Sequence, residues 1–527
     1  EGVYTQMISK FGNLTQLAPK QLNMKSSSNA GGCEGGDILL PISQIFNFSF
    51  NVNPPNSIMS LQKFNVEEVM SWVVSEFKEI DLGDARLNRR IINIVETLGF
   101  APGRTIPQAF QSWSSTKACY NFFSNGLVSD KKIIVPHVEQ TIERMKEYPV
   151  VLLPNDTSEL DYNSKDAMEG RERITNTKQG LWLHPTIAVT PDRVMLGVVD
   201  VNFWKRKQEL NSKGSQKDKL PIEDKESYRW LQSYRRSCEI SREMPGTQLI
   251  NIADREGDII EVFDEIAKQQ ASGKAADVII RSQHDRLLEG KKGKQDKLRK
   301  RLQEAPSLGE IEFVIPPTEK RSCRKVKQKL KGISVSIKPR NKTTTAQINA
   351  VMAIEEDPPG GEDALIWILL TSLPVDSFED VVKVINYYLC RWEIETFFKV
   401  LKSGCKIEER QLQTTERMKA LITVFMILAW RVMFTMMMGR VYGEMSCDVV
   451  FDEAEWKAVY KILNKKQALP EKPPLLGEFI VMIAILGGYV DRKTEGPPGV
   501  KVVWKGMARM VDFALAWEAF GGMRTYG

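Results

Sequence analysis

At 527 residues, 42% of them hydrophobic, the chain can bury more than one core, which excludes a small disulfide scaffold or a wholly disordered segment. Lys and Arg (73) barely exceed Asp and Glu (67), so a formal charge of +6 favours a polyanionic partner only weakly and leaves local clusters to decide. Seven scattered cysteines without a CxxC pair, and only three histidines (His137, His184, His284), argue against a secreted disulfide framework or a recognisable zinc site; any metal would be held by carboxylates.

Residues 1 to 58 are rich in Asn, Ser, Gly and Gln (NMKSSSNAGGCEGGD) and lack a sustained period. They read as a disordered or non-native leader, with Met59 as a candidate start. The opening EGVYTQ carries neither a basic region nor an apolar stretch, so no signal peptide is expected. From Val66 to Phe100 the pattern turns helical: Leu87, Ile91, Ile94 and Leu98 form one apolar stripe, and Arg86, Arg89 and Arg90 share the opposing side. Those arginines fit a solvated face and a DNA-contacting face equally well.

The middle of the chain is strand-like. VVLLPND, GLWLHPTIAVT, RVMLGVVDVNFW, TQLINIAD and ADVIIRS are short runs bounded by polar or turn residues, and helical segments such as REGDIIEVFDEIAKQQ follow or interrupt them. The expected class is α/β with one mixed sheet. Asp156 and Asp254 both stand where an apolar run stops, at the rim where open α/β folds place ligands. An acid in that position also serves as a turn residue or a helix N-cap, and either aspartate alone leaves the choice open.

After the strand ALIWILLTS, the stretch DSFEDVVKVINYYLCRWEIETFFKVLKSG is helical in period. Tyr388, Arg391, Glu395, Phe398 and Lys402 recur at alternating steps of three and four, which puts them on one helix face. A solvated stripe opposite Trp392, Phe397 and Leu401 is the plain alternative. A phosphate-handling metal site needs the same residue types: Glu for the metal, Arg and Lys for phosphate oxygens, Tyr to hydrogen-bond or stack. The apolar run Ala420 to Met438 is long enough to span a bilayer, but Arg431 sits inside it, so a buried core helix and a cytoplasmic protein are expected.

The motif Tyr388-x2-Arg391-x3-Glu395-x6-Lys402 resembles the Y-R-E-K signature of bacterial DDE transposases of the insertion-sequence-four group, which includes the transposon-five transposase. Further segments resemble that group in the same order: SEFKEIDLGDARLNRR, CYNFFSN, Asp156-Thr157-Ser158, GLWLHP, Asp254-Arg255-Glu256, IIRSQH, WILLTSLPV, LPEKPP, ILGGYVDRK and Trp504-Lys505-Gly506. The likeness runs from about residue 66 to 523 and leaves residues 1 to 58 without a counterpart.

The resemblance implies a ribonuclease-H-like catalytic core interrupted by a β-rich insertion, flanked by helical domains. The implied division is 1–58 leader, 59–130 DNA-end recognition, 131–438 catalysis with an insertion at about 286–365, and 439–527 dimerisation. It implies catalysis by Asp156, Asp254 and Glu395 with two Mg²⁺ ions, Mn²⁺ being able to substitute. Phosphate or DNA contacts would come from Tyr388, Arg391, Lys402 and Arg281, with Trp367 beside a hairpin base and Arg86 and Arg90 at the transposon end. The implied activity is cut-and-paste transposition through a hairpin, by a homodimer on double-stranded end-repeat and target DNA. No membrane is involved, and the site of action is the bacterial cytoplasm at the nucleoid. The basic runs KKGKQDKLRKRL and EKRSCRKVKQKLK suit a DNA backbone as well as a solvated surface. Two alternatives remain open on the sequence: a metal-dependent nuclease of the same core, and a non-catalytic DNA-binding protein derived from a transposase.

Overall fold

A computed structural model describes residues 72–521 apart from 101, 166–167, 175–176, 205–219, 274, 289–295, 316–322, 338–344, 361–362 and 493–495. The expected leader, Met59 and the portions of the basic runs at 291–295 and 319–322 lie outside the described residues. Helices α1 (Trp72–Glu76), α2 (Ala85–Phe100), α3 (Ile106–Phe110), α4 (Trp113–Phe123) and α5 (Asp130–Lys146) come first. The apolar stripe of α2 faces the core: Ile91, Ile94 and Leu98 are fully buried, with Val95 beside them, and Leu87 is half-buried. The short helices α3 and α4 start on side-chain caps, Thr105 accepting from the Gln108 N–H and Ser112 from that of Ser115.

The central sheet comes next. Its first strands are β1 (Val150–Pro154), β2 (Ser158–Asp161), β3 (Glu172–Arg173), β4 (Gln179–Val189) and β5 (Met195–Trp204). Helix α6 (Tyr228–Glu243) leads to β6 (Gln248–Ala253), and α7 (Ile260–Ala271) to β7 (Asp277–Arg281). Strands β5, β4 and β1 are antiparallel neighbours, whereas β1, β6 and β7 run parallel in that order. This order, with helices between the parallel strands, makes the core ribonuclease-H-like. Strands β1 and β6 are covered on both faces, which is why VVLLP and QLINIA are nearly continuous apolar runs.

The insertion adds a hairpin, β8 (Leu287–Leu288) with β9 (Asp296–Lys297), then α8 (Leu298–Glu304) and a meander of β10 (Gly309–Ile315), β11 (Arg324–Ile337) and β12 (Ala346–Glu355). Strand β13 (Ile366–Thr371) joins β12 to β7, so the meander extends the central sheet. On β11, Lys325, Lys327 and Lys329 alternate on one face and meet Glu312, Glu310 (2.5 Å) and Glu356 (2.6 Å). That part of the basic run is therefore charge-compensated by its neighbours.

Helix α9 (Phe378–Leu389) opens on a Ser377/Asp380 capping box, and α10 (Trp392–Lys399) runs into a π turn, Val400–Gly404. Helix α11 (Thr415–Val441) is the core helix expected of its apolar run, its most apolar window being 89% buried. Arg431 is accommodated because it donates to the Val450 carbonyl (2.6 Å) and lies over the Trp72 ring (5.3 Å). The C-terminal helices are α12 (Glu453–Leu463), α13 (Leu476–Leu486) and α14 (Val500–Gly521). Helices α13 and α14 approach backbone to backbone: a Cβ on Gly506 would stand 1.8 Å from the Ile483 carbonyl oxygen, and one on Gly487 1.8 Å from that of Val502.

One buried network ties the first helices to the core. Glu76 of α1 accepts from His137 Nδ1 (2.5 Å) and from both Arg144 terminal nitrogens (2.9 and 3.0 Å), all at the α1–α5 contact. His137 Nε2 accepts from the Val198 N–H (3.0 Å), so the ring is neutral with its proton on Nδ1. Arg144 also lies 4.3 Å from the ring centre of Trp430, whose indole N–H donates to the Met195 carbonyl (3.0 Å).

Candidate active site

Strands β1 and β6 are in parallel register with Pro154 opposite Ile252, and the Asn155 N–H continues the ladder to the Ile252 carbonyl (3.1 Å). Asp156 and Asp254 lie two residues past that pair on their own strands, and so leave the sheet side by side at its carboxyl edge. Each is oriented by a local bond. Asp156 Oδ1 accepts from the Thr157 N–H (2.7 Å), and Asp254 Oδ1 from the Glu256 N–H (2.8 Å), capping the 3₁₀ turn Arg255–Gly257. The cap that a strand-end acid often provides is thus present, alongside the placement a site needs.

Glu395 comes from the start of α10. Arg391 joins it to Asp156: Nη2 donates to Glu395 Oε1 (2.6 Å) and Nη1 to Asp156 Oδ2 (3.2 Å). The guanidinium is buried, whereas the Asp156 and Glu395 side chains stay 20% and 22% exposed, open to a ligand. Burial pushes the Asp156 carboxyl up to about 7 against the pull of Arg391, and the charges of Asp254 and Glu395 raise it further. Burial likewise raises Glu395, with Arg391 opposing and Asp254 adding to the rise.

The expected single helix is broken. Cys390 and Arg391 form a turn between α9 and α10, and the π turn carries the residues from Val400 onward out of α-helical phase. Tyr388 and Arg391 remain neighbours, the guanidinium 5.9 Å from the ring centre. Lys402 does not join the acids: it donates to the Glu159 carbonyl (2.5 Å) and pairs with Glu408 (3.6 Å). Trp367 is half-buried on β13, edge-on to Tyr388 (6.0 Å) and Trp392 (5.9 Å), so only part of its ring is taken up by packing. Arg281 ends β7 close enough to Tyr388 that, with Arg391, it opposes the rise that burial imposes on the phenol. Arg86 is exposed at the start of α2 and paired with Asp84 (2.8 Å); Arg90 is half-buried, its charge felt by Cys119 on α4.

Among the described residues, no three His, Cys, Asp or Glu side chains close around one point, and the Arg391 guanidinium spans two of the three acids instead. The donor chemistry nevertheless fits a hard divalent cation, since every donor is a carboxylate oxygen, and the charge of Asp254 raises the pKa of both Asp156 and Glu395. Residue-by-residue reading missed Arg229 of α6, with Thr157 and His184, and the wholly buried Asp258. The last accepts from the Gln283 and His284 N–H groups (2.7 and 2.9 Å) and from Arg286, pinning the segment after β7. A buried acid four residues after Asp254 was the available signal; Arg229 is one of several arginines in YRWLQSYRRSCEISRE and carried none.

The Transposase DNA-binding family matches residues 69–128, the Transposase DDE domain residues 264–430, and the Transposase Tn5 dimerisation domain residues 427–521. The middle match includes Glu395 and its helix and begins after both aspartates. Among solved structures, a piggyBac transposase synaptic complex with hairpin DNA is similar at 11% identity and TM-score 0.34, over 87% of this chain and 86% of that one. With this core, this acid-lined edge and the three family matches, the chain is a DDE transposase, an enzyme that cleaves DNA and transfers strands. Its C-terminal match places it in the Tn5-like group, whose DDE domains use divalent metal ions, generally Mg²⁺.

Proposed function

We propose that this chain is a cut-and-paste transposase in which Asp156, Asp254 and Glu395 hold two Mg²⁺ ions, with Mn²⁺ able to replace them. The observation that carries this reading is the in-register exit of Asp156 and Asp254 from neighbouring parallel strands, with Glu395 linked to Asp156 through Arg391. Bound divalent cations supply Lewis acidity, activating the attacking hydroxyl and offsetting charge on the leaving oxygen of an in-line displacement. The chain's own residues do the positioning. Arg391, given up by one or both acids, supplies a planar guanidinium for a phosphate, and Arg281 and Tyr388 line the same side. Trp367 offers an aromatic surface to an unstacked base of a hairpin intermediate. Lys402 reaches phosphate only by leaving Glu408.

Residues 59–130, with Arg86 and Arg90, recognise the transposon end, residues 131–438 carry catalysis, and residues 439–527 pair two protomers on the DNA. The protein then acts in the cytoplasm, at the nucleoid. The test is Mg²⁺-dependent cleavage of the element's own terminal repeats, followed by joining to target DNA. Asp156→Asn, Asp254→Ala and Glu395→Gln should each abolish cleavage while gel-shift binding persists. Cleavage by Asp254→Ala at the wild-type rate would remove Asp254 from the centre. Cleavage without joining would favour a nuclease of the same core.

A further inference from the structure

The two aspartates are aimed by backbone N–H groups, and the residues that supply those groups are tied together by a single side chain. Thr157 gives its N–H to Asp156, and Glu256 gives its N–H to Asp254. Arg229 reaches both: Nε donates to Thr157 Oγ1 (2.7 Å) and Nη2 to Glu256 Oε2 (2.6 Å), while Nη1 donates to the Glu226 carbonyl (2.5 Å). The guanidinium is fixed further by Trp204 and Trp230, whose ring centres lie 5.0 and 5.8 Å away.

The hydrogen bonds beyond Thr157 lead back to helix α6 through His184. The Thr157 hydroxyl, which accepts from Arg229, also shares a hydrogen bond with His184 Nδ1 (2.8 Å). His184 Nε2 shares a second hydrogen bond with Ser233 Oγ (3.1 Å), on the same helix as Arg229. Helix α6 therefore grips Thr157 twice, once through Arg229 and once through Ser233 and His184.

We infer that Arg229 is a positioning residue for the carboxylate centre, clamping the residue after Asp156 to the residue two beyond Asp254 and so fixing the separation of the two carboxylates. This rests on Asp156 and Asp254 being metal ligands. A purely stabilising role explains the geometry less well, because Glu256 is 60% exposed and so solvated an ion pair contributes little to the fold. The clamp also requires the planar guanidinium: one lysine nitrogen cannot meet Thr157 and Glu256 from the same stem.

The experiment is Mn²⁺ binding to the full chain without DNA, followed by electron paramagnetic resonance of the free ion, alongside thermal melting. Arg229→Met and Arg229→Lys should weaken Mn²⁺ binding about tenfold or more, the effect typical of losing a partner behind a ligand. Glu256→Gln, a change on an exposed side chain, should fall between them and wild type, with an unchanged melting temperature. It serves as the test on its own if the Arg229 variants do not fold. Wild-type Mn²⁺ affinity in folded Arg229→Met, or in Glu256→Gln, overturns the clamp even if DNA cleavage falls. Asp254→Asn separates the two levels: if it too binds Mn²⁺ like wild type, the carboxylate centre is wrong, whereas its loss beside an unaffected Arg229→Met removes the clamp alone.

Discussion

Replacing Glu76 by Gln measures how firmly the N-terminal helices are joined to the catalytic core. Burial disfavours the Glu76 carboxylate, but Arg144 and His137 outweigh it and hold its pKa at about 2, against the usual 4.5. At 1.36 kcal/mol per pKa unit, that shift corresponds to about 3 kcal/mol of native stability. The sign follows from the direction. A carboxylate depressed in the folded state contributes fully above about pH 4.5 and loses that contribution as pH falls through about 2. The same lost interaction leaves Arg144, 21% exposed and held over Trp430, without its carboxylate partner. Urea unfolding of wild type and Glu76→Gln should therefore differ by about 3 kcal/mol at pH 7, narrowing as the pH is lowered toward 3. Glu76 lies inside the DNA-binding match, whereas His137 and Arg144 lie beyond it, so end-specific DNA binding should weaken in parallel. A difference below about 1 kcal/mol at pH 7, or one that does not narrow in acid, would refute the coupling.

Gly506→Val should force α14 away from the Ile483 carbonyl and abolish dimerisation on DNA by analytical ultracentrifugation, with binding by single chains retained; persistence of the dimer would count against the close approach as its basis. Changing Lys325, Lys327 and Lys329 together to Gln should alter the slope of log affinity against log salt by less than about 1, because each lysine already has a glutamate partner. A change near 3 would place all three on phosphates. Trp367→Ala should slow cleavage about tenfold with gel-shift binding intact, in line with the loss of one base-stacking surface. An unaffected rate would make Trp367 a packing residue.

What the sequence discloses depends on how far each feature reaches. The α2 stripe and the all-round burial of α11 are legible because both are properties of one helix. The strand ends at Asp156 and Asp254 are legible too, but the parallel register that makes them neighbours joins residues far apart in the chain, and no local pattern encodes it. The lysines of β11 illustrate the same limit. A basic run looks uncompensated until β10 places Glu310 and Glu312, and the residue after β12 places Glu356, against it. Lys402 shows another, since a spacing of three and four fixes a face only while the helix stays α-helical, and the π turn ends that phase before Lys402.

Arg391 carries two opposed effects that a single substitution can separate. Its guanidinium now balances Asp156 and Glu395, so it competes electrostatically with any cation those acids bind, yet the same planar fork suits a DNA phosphate. Arg391→Met keeps most of the stem and removes the charge. If the guanidinium holds the acids together before a cation arrives, the variant should bind Mn²⁺ at least as tightly as wild type while losing most DNA cleavage. Weaker Mn²⁺ binding would mean that Arg391 is needed to bring Glu395 toward Asp156. The ion pair would then be part of the scaffold of the centre, and the phosphate contact would have to come from Arg281 or from a displaced Lys402.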